Sequence, residues 1–325
     1  MTRPTPEPAD PAPPGQSPAT PGRRSAPDFD GPHLLSVDVE EYFQVEAAAR
    51  AGVSPRHWAD YPNRLGPAVD RVLAALADHG ASATFFILGW VARHEPEVVR
   101  RIADAGHEIA SHGMEHRMLQ HLGPDPFRQD LADARRLLED LAGRPVLGYR
   151  APTFSITHAT AWAIDVLAEA GYRYDSSVFP VRHDRYGVPD APTVPHRAVG
   201  PGGGEILEIP PLTLRLAGVN WPMAGGGYLR LFPRRLPARA LRQAARRGAP
   251  GMIYLHPWEL DPDQPELPLA RLARFRHRVG LAGTEVKLRW LLARFRFTSV
   301  RERLEDLREQ AQDVYTYGQG AGSAT

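Results

Sequence analysis

Apolar and polar positions along the chain follow two periods in turn. The runs "HLLSV" (33–37), "ATFFIL" (83–88), "HEIAS" (107–111) and "VLGYR" (146–150) are short, apolar and rich in β-branched or aromatic residues. They read as buried strands. Between them, "RVLAALADHG" (71–80), "PEVVRRIADAG" (96–106), "FRQDLADARRLLEDLAG" (127–143) and "ATAWAIDVLAEAG" (159–171) repeat apolar residues three and four apart. They read as helices, with Gly80, Gly106, Gly143 and Gly171 where C-caps belong. Strand and helix in alternation predict parallel βα units and an α/β fold.

A second region opens near residue 200 with "EILEIPPLTL", a Gly-rich "AGGGYLRLFP", an Arg-rich helix over 236–247 and one more buried strand, "GMIYL" (251–255). The tail from about 284 has helical periodicity around a strand-like "RFTSV". The Arg-rich helix reads as the solvated face of an amphipathic helix rather than a nucleic-acid patch. Residues 1–30 are crowded with Pro, Ala and Thr and read as a disordered leader. The expected organisation is a main domain over 31–260, within which about 200–235 stands out as an insertion. A C-terminal extension, 261–325, packs on it, with its last residues disordered.

Composition narrows the chemistry. A net charge of +1 on 325 residues gives no reason to expect nucleic acid. With no cysteine, disulfides and thiolate ligands are excluded, so any metal must be held by His, Asp or Glu. The N-terminus lacks the apolar core of a signal peptide, and no apolar run of about 18 residues could span a bilayer. The expectation is a cytoplasmic protein without a transmembrane segment.

The polar residues that stand out follow the apolar strands. Asp38 and Glu40 come after the first, His112 and His116 after the third, Arg150 after the fourth, Asp175 after "GYRYD" and His256 after "GMIYL". Parallel strands converge their C-terminal ends on one rim, so this placement predicts a distorted (β/α) barrel of fewer than eight regular strands with its site there. Histidines four apart can face one way on a helical turn and, with a carboxylate from another segment, leave open metal positions for water and substrate. Two rival enzymes share parts of this pattern. His112 to His116 also spells the H-x-x-E-H of certain zinc peptidases, but that motif belongs inside a long helix and Gly113 here follows a strand. A two-His-one-carboxylate iron oxygenase would not need a separate Asp and a distant "LHPWE". His107 suits bracing a strand end, and Arg150 suits a structural ion pair with Asp175 as well as a site role. Trp221, Tyr228 and the glycines 225–227 fit a sugar groove about as well as loop packing.

Five motifs in order carry a resemblance: "SVDVEEYFQV", "SHGMEH", "GYRAPTFS", "YDSSVFP" and "LHPWE". The chain resembles the polysaccharide deacetylases of the NodB-homology type (carbohydrate esterase family 4), within them the exopolysaccharide-associated group with an extra C-terminal region. The resemblance runs from about residue 33 to 305. It implies a distorted (β/α) barrel of the NodB-homology type and removal of N-acetyl, or sometimes O-acetyl, groups from a polysaccharide or its lipid-linked precursor. The implied cofactor is a divalent metal, zinc first, with cobalt or nickel as alternatives. Asp38 would be the catalytic base, His256 the acid, and His112 and His116 metal ligands, with Arg150 and Asp175 orienting base and acid. Tyr149 or its neighbour would offer a backbone N–H to the oxyanion, and Pro152, Trp258 and Tyr228 would contact substrate. Family members commonly have adjacent aspartates in the first motif, whereas Val39 here separates Asp38 from Glu40. Alternate strand residues point the same way, so Glu40 is assigned to the metal and Glu41 kept in reserve. The alternatives are an amidohydrolase acting on a small non-sugar amide, or a carbohydrate-binding protein that keeps the fold without the chemistry.

Overall fold

A computed structural model describes Met1, residues 29–183 and residues 185–318. The expected leader therefore lies almost wholly outside the described residues, as do the last seven.

Strands β1 (His33–Val39), β2 (Thr84–Ile87), β3 (Glu108–Ser111), β4 (Gly148–Tyr149), β5 (Tyr174–Asp175), β6 (His196–Val199), β7 (Glu205–Glu208), β8 (Thr213–Leu216), β9 (Val219–Pro222), β10 (Met252–Leu255), β11 (Phe297–Thr298) and β12 (Val314–Thr316) alternate with helices. The helices are α1 (Glu46–Arg50), α2 (Leu65–Ala77), α3 (Gly89–His94), α4 (Pro96–Asp104), α5 (Pro124–Ala142), α6 (Trp162–Glu169), α7 (Gly226–Leu231), α8 (Arg235–Ala245), α9 (Arg271–Arg278), α10 (Thr284–Leu292) and α11 (Leu304–Gln310). One sheet runs in the order β10-β1-β2-β3-β4-β5-β7-β6-β12, with β11 against the start of β1. Its pairings are parallel except β6 with β7. A separate hairpin, β8 with β9, stands apart from it.

The chain leaving β7 brings the two ends of the parallel array together. Ile209 N–H donates to Asp175 O, Leu212 N–H donates to Met252 O, and Pro211 bridges Met252 in parallel register. The expected α/β class and mostly parallel sheet are present, and the return to β10 runs through that single bridge.

Period-two alternation sorts the side chains. Leu35, Val37, Val39, Phe85, Ile87, Ile109, Ile253 and Leu255 point outward into the main core beneath the helices. Leu34, Phe86, Ala110, Tyr174, Leu207 and Met252 share a second, inner cluster. Helix α5 shows why the outer layer forms. Its buried Phe127, Leu131, Ala134 and Leu138 fall on one stripe, Pro124 opens the helix, and Gly143 ends it at a left-handed φ of 63°. Val300, Leu304 and Leu307 join the inner cluster at the end where β11 meets His33 and Leu34, whereas Leu288, Leu291 and Leu292 of α10 pack into the outer core. The opposite, C-terminal strand ends stay available for a site. Among the described residues no helix is long and apolar enough to cross a membrane.

Candidate metal centre and active site

Strand β1 and the residue after it deliver two carboxylates to one place. Val39 is part of the outer core, so Asp38 and Glu40 turn inward at the strand end, both almost fully buried. Glu41 points elsewhere: its Oε1 accepts the backbone N–H groups of Arg64 (2.6 Å) and Leu65 (2.9 Å) and so caps helix α2. That capping role leaves Glu40 as the carboxylate facing the histidines.

His112 and His116 come from the end of β3 and the turn after it. The turn is not helical, since Gly113 has φ 75° and His116 φ 53°. Thus the two rings meet through left-handed backbone rather than the helical turn expected from their spacing, and the long helix that H-x-x-E-H requires is absent here. Asp130 of α5 fixes the turn by accepting the Met114 N–H at 3.0 Å. A Cβ on Gly113 would stand 2.9 Å from the same carboxylate, so glycine is needed there for space as well as conformation.

Glu40, His112 and His116 each offer one ligand atom, all within 4.8 Å of one another. His112 Nδ1 lies 2.7 Å from the Arg150 carbonyl, which fixes the ring and leaves Nε2 for the cluster. Trp258 Nε1–H donates to Glu40 Oε1 at 3.3 Å. Glu40 Oε2, 2.9 Å from His116 Nε2, is buried without a hydrogen-bond partner. A buried carboxylate oxygen without a donor, facing two imidazoles, is the donor set a divalent cation fits. Burial alone would raise the Glu40 carboxyl, but the His116, His256 and His112 rings overrule it and hold it down at about 2. Burial pushes His112 down to about 4, favouring the neutral ring that ligates metal.

Beside this cluster stand Arg150, Asp38 and His256. The Arg150 guanidinium is wholly buried and donates to Asp38 Oδ1 (2.6 Å), Ser36 Oγ (2.8 Å), Ser176 Oγ (2.8 Å) and Ser176 O (3.1 Å). Its ion-pair partner is Asp38, not Asp175. His256 Nε2 lies 3.6 Å from Glu40 Oε1 and 4.0 Å from Asp38 Oδ2. Its other nitrogen, Nδ1, lies 3.2 Å from Glu259 Oε2. Burial would lower the imidazole, but Glu259, Glu40 and Asp38 together raise it to about 9.

Asp175 is not brought to this group. It stands opposite Glu208 on the neighbouring strand, and Ser177 Oγ–H donates to it at 2.5 Å. The place behind His256 belongs instead to Glu259, itself paired with Arg230 at 2.6 Å. Sequence reasoning missed both, although the three-residue spacing from His256 to Glu259 has the form of a capping box.

The expected substrate contacts divide. Trp258 stacks on His256 with centroids 5.1 Å apart and so belongs to the site wall. Pro152 is buried at the start of a tight turn in which Thr153 (φ 57°) and Phe154 (φ 51°) are both left-handed. Two such non-glycine residues in succession are strained backbone at the rim. Tyr149 points outward against Phe127 and Tyr172. The neighbouring N–H groups are committed, that of Arg150 to Ser111 O and that of Ala151 to Ser177 Oγ. Tyr228 stacks on Phe232.

Comparison with known proteins divides the chain in two. A family model described as polysaccharide deacetylase matches residues 60–174, and one described as a domain of unknown function (DUF3473) matches 176–305. The histidine pair falls in the first segment and His256 in the second, while Asp38 and Glu40 precede both. A chitooligosaccharide deacetylase of Sinorhizobium fredii is 33% identical over 100 residues, covering 30% of this chain and 42% of that protein. A peptidoglycan-N-acetylglucosamine deacetylase of Bacillus cereus is 37% identical over 73 residues, covering 22% and 26%. The chain thus spans less than half the length of either relative. A crystal structure from Mycobacterium smegmatis, described as a candidate polysaccharide deacetylase, superposes with a TM-score of 0.55 at 22% identity, over 92% of this chain and 98% of that one. That likeness is one of fold.

Proposed function

Because the chain carries a polysaccharide deacetylase domain of the NodB-homology type, joined to the region matched as DUF3473, we propose that it hydrolyses acetyl groups, N-acetyl first, from the amino sugars of a bacterial polysaccharide or its lipid-linked precursor. The setting that suits this chemistry is exopolysaccharide biosynthesis, with the protein acting in the cytoplasm. The observation that carries the reading is the buried, donorless Oε2 of Glu40 facing His112 and His116, with Asp38 and His256 at its edge.

Glu40, His112 and His116 would hold a divalent cation, zinc first. When bound, it supplies a lowered pKa for water and polarisation of the acetyl carbonyl. The remaining work falls to side chains of the protein. Arg150 holds Oδ1 of Asp38, leaving Oδ2 on the His256 side to take the proton from the attacking water. His256, its Nδ1 facing the Glu259 carboxylate, delivers a ring proton from Nε2 to the departing amine. Trp258 screens the Glu40 carboxylate and, buried between the rings of His256 and His277, braces the site wall from behind.

The test is acetate release from an N-acetylglucosamine oligomer, comparing the parent with Asp38→Asn. Turnover by the parent and its loss in the variant support the reading. No acetate from the parent, or equal rates in both, overturns it.

A further inference from the structure

Behind the His256 ring lies a buried ion pair of which one member, Glu259, closes the motif "LHPWE" and the other, Arg230, lies outside all five motifs. Glu259 is fully buried, and the Arg230 side chain almost so. Their Nε–Oε1 distance is 2.6 Å. The second oxygen of Glu259 accepts the His256 backbone N–H at 3.0 Å and lies 3.2 Å from Nδ1 of the same residue.

Arg230 is itself immobilised. Its Nη1 donates to the carbonyls of His277 and Val279, both at 2.8 Å, and Nη2 donates to that of Arg276 at 3.1 Å. These are carbonyls at the C-terminal end of α9, which lack helical partners and carry the negative end of the helix dipole. Lys287, the one lysine in the chain, caps α7 in turn by donating to the carbonyls of Leu229, Arg230 and Phe232. A continuous chain of contacts therefore runs from α10 and α9 through Arg230 and Glu259 to the imidazole. All of it lies within the segment matched as DUF3473.

A buried ion pair is a poor way to gain stability, because desolvation offsets most of the attraction. It is a good way to fix a ring. An ionised acceptor at Nδ1 determines which nitrogen carries the proton there and which way the ring faces, and here the other nitrogen, Nε2, faces Asp38 and Glu40. Asp175, turned toward Glu208, makes no such contact with His256.

We propose that Glu259, anchored by Arg230, is the positioning carboxylate of His256: it accepts a hydrogen bond from Nδ1–H, orients the ring so that Nε2 serves the reaction, and never touches substrate. The proposal rests on the acid role of His256 in deacetylation, and it gives the C-terminal region a part in the active site beyond supplying that histidine.

The test is a double-mutant cycle on the full chain with an N-acetylglucosamine oligomer, using Glu259→Gln, His256→Ala and both together. Glu259→Gln should lower kcat by roughly 10²-fold, leave KM within about twofold and keep metal content unchanged. In the His256→Ala background it should cost nothing further, because it acts only through that ring. Losses that multiply in the double variant would make Glu259 merely structural and overturn the proposal. If the single variant does not fold, with Arg230 left buried and unpaired, Arg230→Met combined with Glu259→Gln removes both charges and should give the same kinetics. A second readout needs no turnover. The parent should show a downfield, exchange-protected imidazole N–H resonance that vanishes in His256→Ala and moves upfield in Glu259→Gln. An unmoved resonance would also overturn the proposal. A parent that releases no acetate but shows this resonance and its shift would sink the deacetylase reading while leaving the positioning contact standing.

Discussion

Two pairs of buried carboxyl groups sit at strand ends of the same sheet, and they behave in opposite ways. Asp38 and Glu40 are two apart on one strand and face inward, where Arg150 stands 2.6 Å from the first and His116 2.9 Å from the second. Asp175 and Glu208 lie opposite one another on neighbouring strands, and their donors are the neutral Ser177 hydroxyl and Val178 N–H. With no cation beside it, burial pushes Asp175 up to about 6 and Glu208 well above the usual carboxylate range, so the pair keeps a proton. Glu40, equally buried, is held down at about 2 by its imidazoles. The difference teaches that burial does not mark a catalytic carboxylate. The charge placed opposite it decides.

The comparison can be broken most severely at the inner pair. Asp38→Asn should keep its metal and its fold while turnover drops by roughly 10²-fold or more, the usual worth of a positioned proton-transfer group. Glu40→Gln and His116→Ala should instead lose bound metal at unchanged folding, measured by metal content after desalting. Retained metal in both would remove the centre from this place.

The outer pair predicts a smaller effect of opposite sign. A carboxyl whose folded pKa is raised contributes stability that is complete below its unfolded value, near 4, and is lost as pH rises through about 6. Asp175→Asn removes the carboxyl that must ionise against its burial, so it should raise Tm by a few degrees at pH 8 and change little at pH 4. A variant less stable than the parent at pH 8 would show that the buried Asp175 charge is not a liability. Smallest is Glu41→Ala, which takes away the cap on α2. It should cost about 1 kcal/mol in denaturant unfolding and leave metal content intact.

Much of this was legible in the sequence. The alternation in "SVDVEE" puts Asp38 and Glu40 on one face, and the apolar runs place His112, Arg150 and His256 at strand ends. What was not legible has physical reasons. Strand β5 is two residues long and buried on both faces, so nothing in "YD" tells which way Asp175 turns. Arg230 and Glu259 are 29 residues apart, and only the packing of α7 against the turn after β10 brings them together. Glu41 reads as a spare ligand until the start of α2 is seen beneath it. The loop holding His116 needs a left-handed non-glycine residue, which spacing alone does not announce.

The central claim is that one cation, held by Glu40, His112 and His116, is required for acetate release. The most direct measurement strips the protein with chelator and titrates zinc back while following acetate from an N-acetylglucosamine oligomer. The account predicts no release from stripped protein and a rate that climbs to a plateau at one equivalent per chain. Undiminished release from protein shown to hold no metal would contradict it.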